Sequence, residues 1–129
     1  MGKILIIDDD EGFVRFLHDY IEQHYRPLVV ETCTDAVKAL GALNASIDLL
    51  ILDFEMPNLD GMKILRFALQ AGIDKNRVVI LSGRDADYLH DRCPMGTCLA
   101  VLNKHEAKQK AVLDMIFQSL QKKAAAVQG

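Results

Sequence analysis

The sequence predicts a doubly wound α/β fold, in which a five-stranded parallel sheet is covered by helices on both faces. Apolar segments typical of buried strands alternate along the chain with segments of helical periodicity. The segments 3–7 and 47–52 are almost continuously apolar, as in parallel sheets that are buried on both faces. Each strand segment is followed by a helical one, and such repeats join parallel strands through right-handed crossovers.

The predicted strands are five short apolar segments that end in polar or turn-forming residues. The first and third are the clearest, because Ile4–Ile7 and Leu49–Leu52 are uninterrupted apolar runs that both stop at an aspartate. The fourth strand ends at Ser82 and the fifth at Asn103. In order, the strands are 3–7, 28–33, 47–52, 77–81 and 98–102.

The predicted helices carry apolar residues at steps of three and four, which places those residues on one helical face. Asp10 can cap the first helix and Thr34 or Asp35 the second, while Gly72 closes the third. In order, the helices cover about 11–24, 36–43, 62–71, 85–92 and 106–122.

Length and composition fit one domain, which we expect to cover 1–123, with 124–129 as a tail or the start of a truncated linker. The 129 residues are 50% hydrophobic and carry a net charge of −3, which argues against nucleic acid or an anionic membrane as a direct partner. The apolar runs are shorter than the ~18 residues of a membrane span, and Ile4–Ile7 is too short for a signal-peptide core. We therefore expect a cytoplasmic protein.

Polar side chains gather where the predicted strands end. Asp8 and Asp9 follow the first strand, Asp53 the third, Ser82 the fourth and Lys104 the fifth. The carboxyl ends of parallel strands meet at one edge of a sheet, where sites of this architecture lie. Three carboxylates close together raise one another's pKa, so we expect a bound cation. Oxygen ligands without thiolate or imidazole favour Mg²⁺.

This set of residues suits phosphoryl transfer. A carboxylate beside Mg²⁺ can attack phosphorus and form an aspartyl phosphate. The phosphoryl oxygens then need a cation and a hydroxyl donor to stabilise their charge. Lys104 and Ser82 supply these two groups.

Four segments resemble the receiver domain of two-component response regulators, most closely the stand-alone chemotaxis type. The segments are 4–10, 52–61, 79–83 and 102–104, and the second contains the specific pattern Asp-x-x-Met-Pro-x-x-Asp-Gly. The resemblance covers the chain to about Lys123. It implies a flavodoxin-like sheet with strand order 2-1-3-4-5.

The resemblance also implies a role for each acidic residue. Asp53 would be the phosphoacceptor. Asp8 and Asp9 would hold Mg²⁺ together with Asp53 and the backbone carbonyl of Glu55. The activity would be limited to phosphorylation and dephosphorylation of Asp53, so the protein would not be an enzyme in the usual sense.

The remaining implied roles concern signalling. Ser82 would be the switch hydroxyl, and Lys104 would contact the phosphoryl group. A sensor histidine kinase or a histidine phosphotransfer protein would donate the phosphoryl group. A downstream protein would bind the face formed by the fourth helix, the fifth strand and the fifth helix.

The chain departs from the family pattern at two positions. His105 stands where the family usually has proline, and Val101 stands where it usually has an aromatic residue. Since valine has few rotamers, we expect signalling to use the loop after Ser82 rather than an aromatic rotamer switch, with Tyr88 as its reporter.

Two loop features are also predicted. Gly61 is expected to adopt a positive φ before the third helix. Glu55 and Arg84 each lie two residues beyond a site residue, so we expect them to pair across the mouth of the pocket and obstruct the water that hydrolyses the phosphoryl group.

Three alternatives stay open. One is a haloacid-dehalogenase-like phosphohydrolase with Asp8 as nucleophile and Asp10 as acid. Two features argue against it, since Gly12 stands where that motif usually has Thr or Val, and the chain has no segment for the cap or second half of such a hydrolase. Another is a receiver domain excised from a longer regulator whose output domain follows Gly129. The third is a receiver-like adaptor that is never phosphorylated, which the intact acidic set argues against.

Overall fold

The computed structural model describes residues 2–56, 59–83, 88, 91–94, 96–104 and 107–128. Its main sheet has five parallel strands, which are β1 (Lys3–Ile7), β2 (Val29–Cys33), β3 (Leu49–Asp53), β6 (Val78–Ser82) and β7 (Ala100–Asn103). They lie in the order β2-β1-β3-β6-β7. When only these five strands are numbered along the chain, this is the predicted order 2-1-3-4-5, and the predicted fold class is confirmed.

Two further strands form a separate antiparallel hairpin directly after β3. They are β4 (Glu55–Met56) and β5 (Leu59–Asp60), with Glu55 opposite Asp60. The sequence pattern predicts only a loop between the third strand and the third helix. The hairpin is short, and its position beside the last residue of β3 makes it part of the candidate site.

The helices follow the predicted order, with one boundary wrong. The final helix continues to Gln128, beyond the predicted end near 122, so the expected tail is largely helical. Of the predicted helix over 85–92, only Tyr88 and residues 91–92 are described, and these are helical. The helices are α1 (Glu11–His24), α2 (Ala36–Ala42), α3 (Gly61–Gln70), α4 (Ala107–Gln128) and a 3₁₀ turn at Lys75–Arg77.

The core lies on both faces of the sheet, as a doubly wound fold requires. Alternate residues of β1 show this division. Ile4 and Ile6 belong to one buried cluster, which includes Phe117 of α4. Leu5 and Ile7 belong to the other, which includes Ile64 of α3. The central strands β3 and β6 are accordingly buried along their whole length, including Asp53 and Ser82 at their carboxyl ends.

Helix caps fix the entry of the chain into the helices nearest those ends. The Asp10 carboxylate accepts a hydrogen bond from the Phe13 N–H at 3.1 Å. The Asp60 carboxylate accepts one from the Met62 N–H at 2.8 Å. Each cap satisfies an N–H that has no partner within the helix. The loops after β1 and β3 are thereby tied to the starts of α1 and α3.

A polar contact joins α1 to α4. The Asp114 carboxylate accepts hydrogen bonds from the hydroxyls of Tyr20 and Tyr25, both at 2.7 Å. Burial disfavours the charged carboxylate, but the two hydroxyls hold the pKa of Asp114 below its usual value. Burial and the neighbouring carboxylate raise the pKa of Tyr25. The contact thus fixes α4 against α1.

We expect Asp114→Ala to lower the free energy of unfolding by about 1–2 kcal/mol, because both tyrosine hydroxyls lose a charged acceptor. Gln118→Ala, on an exposed position of the same helix, serves as the control. Since the pKa of Asp114 is lowered, its contribution is present above the unfolded value near 3.8 and is lost as pH falls. Urea unfolding at pH 7 and pH 3 measures both effects. An equal loss at the two pH values would contradict this account.

In the described part of the chain, none of the helices is long and apolar enough to cross a membrane.

Candidate functional site

The sheet brings four of the predicted site residues to one edge. Asp53 and Ser82 are the last residues of β3 and β6, and Asp8 and Lys104 follow β1 and β7 directly. Asp8, Asp53 and Ser82 are at most 3% exposed. Among the described residues, they are the polar or charged side chains that are buried. Burial of two carboxylates at adjacent strand ends is costly without a compensating charge.

Three carboxylates of this edge lie close enough to share one ion. Asp8, Asp9 and Asp53 offer oxygens that all lie within 4.8 Å of one another. Asp8 Oδ1 accepts a hydrogen bond from the Asp10 N–H at 3.0 Å, whereas the buried Oδ2 has no aligned hydrogen bond. A hard oxygen donor set with a buried oxygen of this kind fits Mg²⁺.

Lys104 supplies the positive charge. Its ammonium lies 2.5 Å from Asp8 Oδ2 and 3.5 Å from Asp53 Oδ2, and its side chain is 11% exposed. The contact with Asp8 Oδ2 is therefore ionic, although that oxygen lacks an aligned hydrogen bond. The ring of Phe13 lies 4.9 Å from the ammonium and adds a cation–π contact. Lys104 is thus held between the two buried carboxylates.

The environment sets the charge of the two central groups. Burial raises the pKa of Asp53 to about 7, and the charge of Asp8 adds to the rise, while Lys104 and the Glu55 N–H oppose it. Burial also disfavours the ammonium of Lys104, but Asp8 and Asp53 outweigh this and raise its pKa. A second cation beside Asp53 would favour its ionised form, which is the form that can act as a nucleophile.

The hydroxyl of Ser82 donates a hydrogen bond to Oε1 of Glu55. The backbone N–H of Glu55 donates to Asp53 Oδ1 at 3.2 Å. Glu55 therefore contacts both the residue predicted as phosphoacceptor and the predicted switch hydroxyl. The Glu55–Arg84 pair stays a prediction, because Arg84 lies outside the described residues.

The Ser82–Glu55 contact is the functional feature that the sequence analysis missed. This contact follows from the register in which β3 and β6 are paired, and a sequence motif does not reveal it. Asp53 is paired with Leu81, and the Phe54 N–H continues the pairing by donating to the Leu81 carbonyl at 2.8 Å. With the strand order known, this register brings the hairpin that begins at Glu55 beside Ser82.

Gly61 shapes the same hairpin, but not in the predicted way. Positive φ angles occur at Gly2, Gly72 and Gly96 among the described glycines, and not at Gly61. A Cβ at Gly61 would instead lie 2.9 Å from both the Cα and the carbonyl oxygen of Phe54. Glycine is required here because the start of α3 approaches the backbone next to Asp53.

We expect Gly61→Ala to lower the free energy of unfolding by about 1–3 kcal/mol, because backbone has to move to admit the methyl group. Gly41→Ala is the matched control, since a Cβ there meets nothing within 4 Å and alanine is the better helix former. Thermal unfolding and the amide shifts of 53–56 measure the result. Equal stability of the Gly61→Ala protein and the wild type would contradict the argument.

Two of the remaining predicted residues, Val101 and Tyr88, are described. Val101 is half-buried and is paired with Ile80. The ring of Tyr88 packs edge-on against Phe54, with centroids 6.2 Å apart, and so contacts the residue next to Asp53. His105 lies outside the described residues.

Comparison with known sequences agrees with this geometry. The family described as response regulator receiver domain matches residues 4–117. Transcriptional regulatory protein CpxR of Escherichia coli (strain K12) is 33% identical over 87 residues, which cover 67% of this chain and 36% of CpxR. The match therefore spans about a third of the length of that relative.

Solved structures share the fold. A CheY-like response regulator receiver domain protein from Methanospirillum hungatei has a TM-score of 0.73 at 22% identity, covering 96% of this chain and 98% of that one. Response regulator protein TrrA from Thermotoga maritima, in complex with Mg²⁺–BeF, has a TM-score of 0.71 at 19% identity, covering 93% and 99%. At these identities the likeness concerns the fold alone.

Proposed function

The chain belongs to the response regulator receiver domain family, and from this premise we propose that Asp53 accepts a phosphoryl group with the help of Mg²⁺. Receiver domains are signalling domains rather than ordinary enzymes. They are switched by phosphorylation, act with histidine kinases and bind Mg²⁺ at an acidic pocket. The single observation that carries the proposal is the buried Asp53 carboxylate, which lies within reach of two further carboxylates and the Lys104 ammonium.

The donor set supports a defined arrangement of ligands. We assign Asp8, Asp9, Asp53 and the backbone carbonyl of Glu55 as the groups that hold Mg²⁺. When bound, the ion supplies charge that neutralises phosphoryl oxygens and keeps Asp53 ionised. Lys104, already within 3.5 Å of Asp53, supplies the second positive charge.

The reaction is a transfer between two protein side chains. An ionised oxygen of Asp53 attacks the phosphorus of a phosphohistidine in the donor, which is a sensor histidine kinase or a histidine phosphotransfer protein. The P–O bond forms as the P–N bond breaks, and the imidazole leaves with the electron pair of that bond. Lys104 and Ser82 stabilise the phosphoryl oxygens.

The contact of Asp10 argues against the phosphohydrolase alternative. Asp10 would be the acid in that reaction, but its carboxylate is held as the cap of α1, where it accepts the Phe13 N–H. This contact supports Asp53 as the nucleophile.

We further propose that the signal leaves through a protein contact on the surface around 85–92, β7 and α4. Ser82 is paired with Asn103 across the two strands, so a movement at Ser82 reaches β7 directly. With Val101 in place of an aromatic residue, this movement does not require a rotamer change.

The proposal includes a domain over 1–123, a cytoplasmic location and no direct contact with nucleic acid or membrane.

Intact-mass measurement after incubation with acetyl phosphate tests the function. We expect the wild-type protein to gain one phosphoryl group with Mg²⁺ and none with a chelator. Asp53→Asn should not gain it, and Asp53→Asn with inorganic phosphate serves as the blank. Equal labelling of the wild type and Asp53→Asn would overturn the proposal.

A further inference from the structure

The hydroxyl of Ser82 is held by a carboxylate that phosphoryl transfer does not require. We propose that Glu55 is a latch, whose side chain keeps Ser82 in its unphosphorylated arrangement and sets how readily the domain is activated. This inference rests on the proposed function, since it assumes that Ser82 turns to a phosphoryl group on Asp53. Glu55 is a positioning residue in this role, because it acts through Ser82.

The Glu55 side chain lies between the solvent and the buried Ser82 hydroxyl. Ser82 is fully buried, whereas Glu55 lies on the exposed side of the β4–β5 hairpin. A buried hydroxyl needs a partner, and the Glu55 carboxylate provides one from the mouth of the pocket. The Glu55 N–H donates a hydrogen bond to Asp53 at the same time, and this bond holds the start of the hairpin beside the site.

Two acceptors compete for one donor. A serine hydroxyl has a single hydrogen to donate, and in this state it goes to Glu55. A phosphoryl group on Asp53 would bring about two negative charges and three acceptor oxygens to the same pocket. Its charge repels the Glu55 carboxylate and attracts the Ser82 hydrogen. Activation therefore requires Ser82 to exchange one charged acceptor for another.

The exchange makes the latch oppose activation. A hydrogen bond to a charged acceptor is about twice as strong as one between neutral groups. The free energy that the Ser82–Glu55 bond contributes to the unphosphorylated state is lost when Ser82 turns to the phosphoryl group. Removing the Glu55 carboxylate should therefore shift the population toward the active arrangement. Glu55→Gln keeps an acceptor without the charge and should shift it less than Glu55→Ala.

The affinity for beryllofluoride with Mg²⁺, a phosphoryl mimic, measures this shift. We expect about tenfold tighter binding for Glu55→Ala and a smaller gain for Glu55→Gln. Asp60→Asn is the matched control, because Asp60 faces Glu55 across the hairpin, and asparagine also caps helices well. The Asp60→Asn variant also removes one negative charge from the hairpin, but Asp60 makes no contact with Ser82 among the described contacts. Equal tightening by Asp60→Asn and Glu55→Gln would overturn the latch.

A double-mutant cycle separates the hydrogen bond from the charge. In a Ser82→Ala background, Glu55→Ala should change the affinity no more than Asp60→Asn does. An undiminished tenfold gain in that background would overturn the proposal.

Amide spectra of the metal-free, unphosphorylated protein test the latch independently of phosphoryl chemistry. We expect Glu55→Ala to move the Ser82 and Gly83 signals, while Asp60→Asn leaves them in place. Unmoved signals in Glu55→Ala would refute the latch even if Asp53 is phosphorylated normally. Conversely, moved signals in a protein that acetyl phosphate fails to label would locate the failure in the proposed function.

Discussion

Replacing Lys104 by alanine is expected to lower the free energy of unfolding of the metal-free protein by about 3 kcal/mol at pH 8. The ammonium lies 2.5 Å from Asp8 and 3.5 Å from Asp53, and both carboxylates are buried. Without it, two like charges share one buried edge of the sheet. Removing one member of a buried ion pair is costly because the other charge stays uncompensated.

Two further measurements identify the cause of this loss. The deficit should shrink at pH 5, where Asp53 can take up a proton because its pKa is raised to about 7. Mg²⁺ should restore part of the stability by supplying the missing charge. Lys3→Ala is the control, since Lys3 pairs with the exposed Glu31 at 3.3 Å and such pairs contribute under about 1 kcal/mol. A loss no larger than that of Lys3→Ala would contradict the buried-pair account.

Asp53→Asn is expected to have the opposite effect and to stabilise the metal-free protein by about 2–4 kcal/mol at pH 8. The folded-state pKa of Asp53, about 7, lies above its ordinary value of 3.8, chiefly because the carboxyl is buried. A group whose pKa is raised on folding binds its proton more tightly in the folded state. The wild type therefore loses stability as pH rises from about 4 to about 7, and the amide variant does not.

Chemical denaturation across pH 4 to 8 with a chelator measures this difference. The two stability curves should converge near pH 4 and separate as the pH rises. Added Mg²⁺ should favour the wild type and reverse the order. Asp35→Asn, at the exposed cap of α2, is the control for replacing a carboxylate by an amide. Parallel curves for Asp53→Asn and the wild type would mean that Asp53 is not destabilised by burial.

The parallel sheet and the edge that holds the site were predictable because the sequence marks both strongly, whereas the strand order was implied by the resemblance to receiver domains. Each buried strand is an apolar run that stops abruptly, and the residues after those stops are Asp8, Asp53, Ser82 and Lys104. A parallel sheet leaves such residues one place to meet. The structure brings all four to that place.

The features that were not predicted depend on contacts between distant segments. The Asp114 contacts with Tyr20 and Tyr25 join residues more than 85 positions apart, as sequence separations of 94 and 89 indicate. The need for glycine at Gly61 comes from the approach of Phe54 rather than from its own φ. The end of α4 was placed too early because the helix continues through three alanines, Ala124 to Ala126. Alanine favours a helix but does not produce the alternation of apolar and polar residues that predicts a helical face.

The Glu55–Ser82 contact belongs to the same class. Helical or strand periodicity carries no information about it, because it depends on how the start of the hairpin lies against the end of β6. The pairing of Asp53 with Leu81 brings the two residues together. Local pattern therefore predicted which residues form the site, and tertiary register decides which of them bond in the unphosphorylated state.

Chemical mapping of the phosphorylated residue tests the central claim most directly. An aspartyl phosphate is reduced by borohydride to homoserine, which peptide mass spectrometry locates along the chain. After labelling with acetyl phosphate and Mg²⁺, we expect homoserine at position 53 in the wild type and its absence when Mg²⁺ is chelated. Homoserine at position 8 instead would contradict the account and identify Asp8 as the nucleophile.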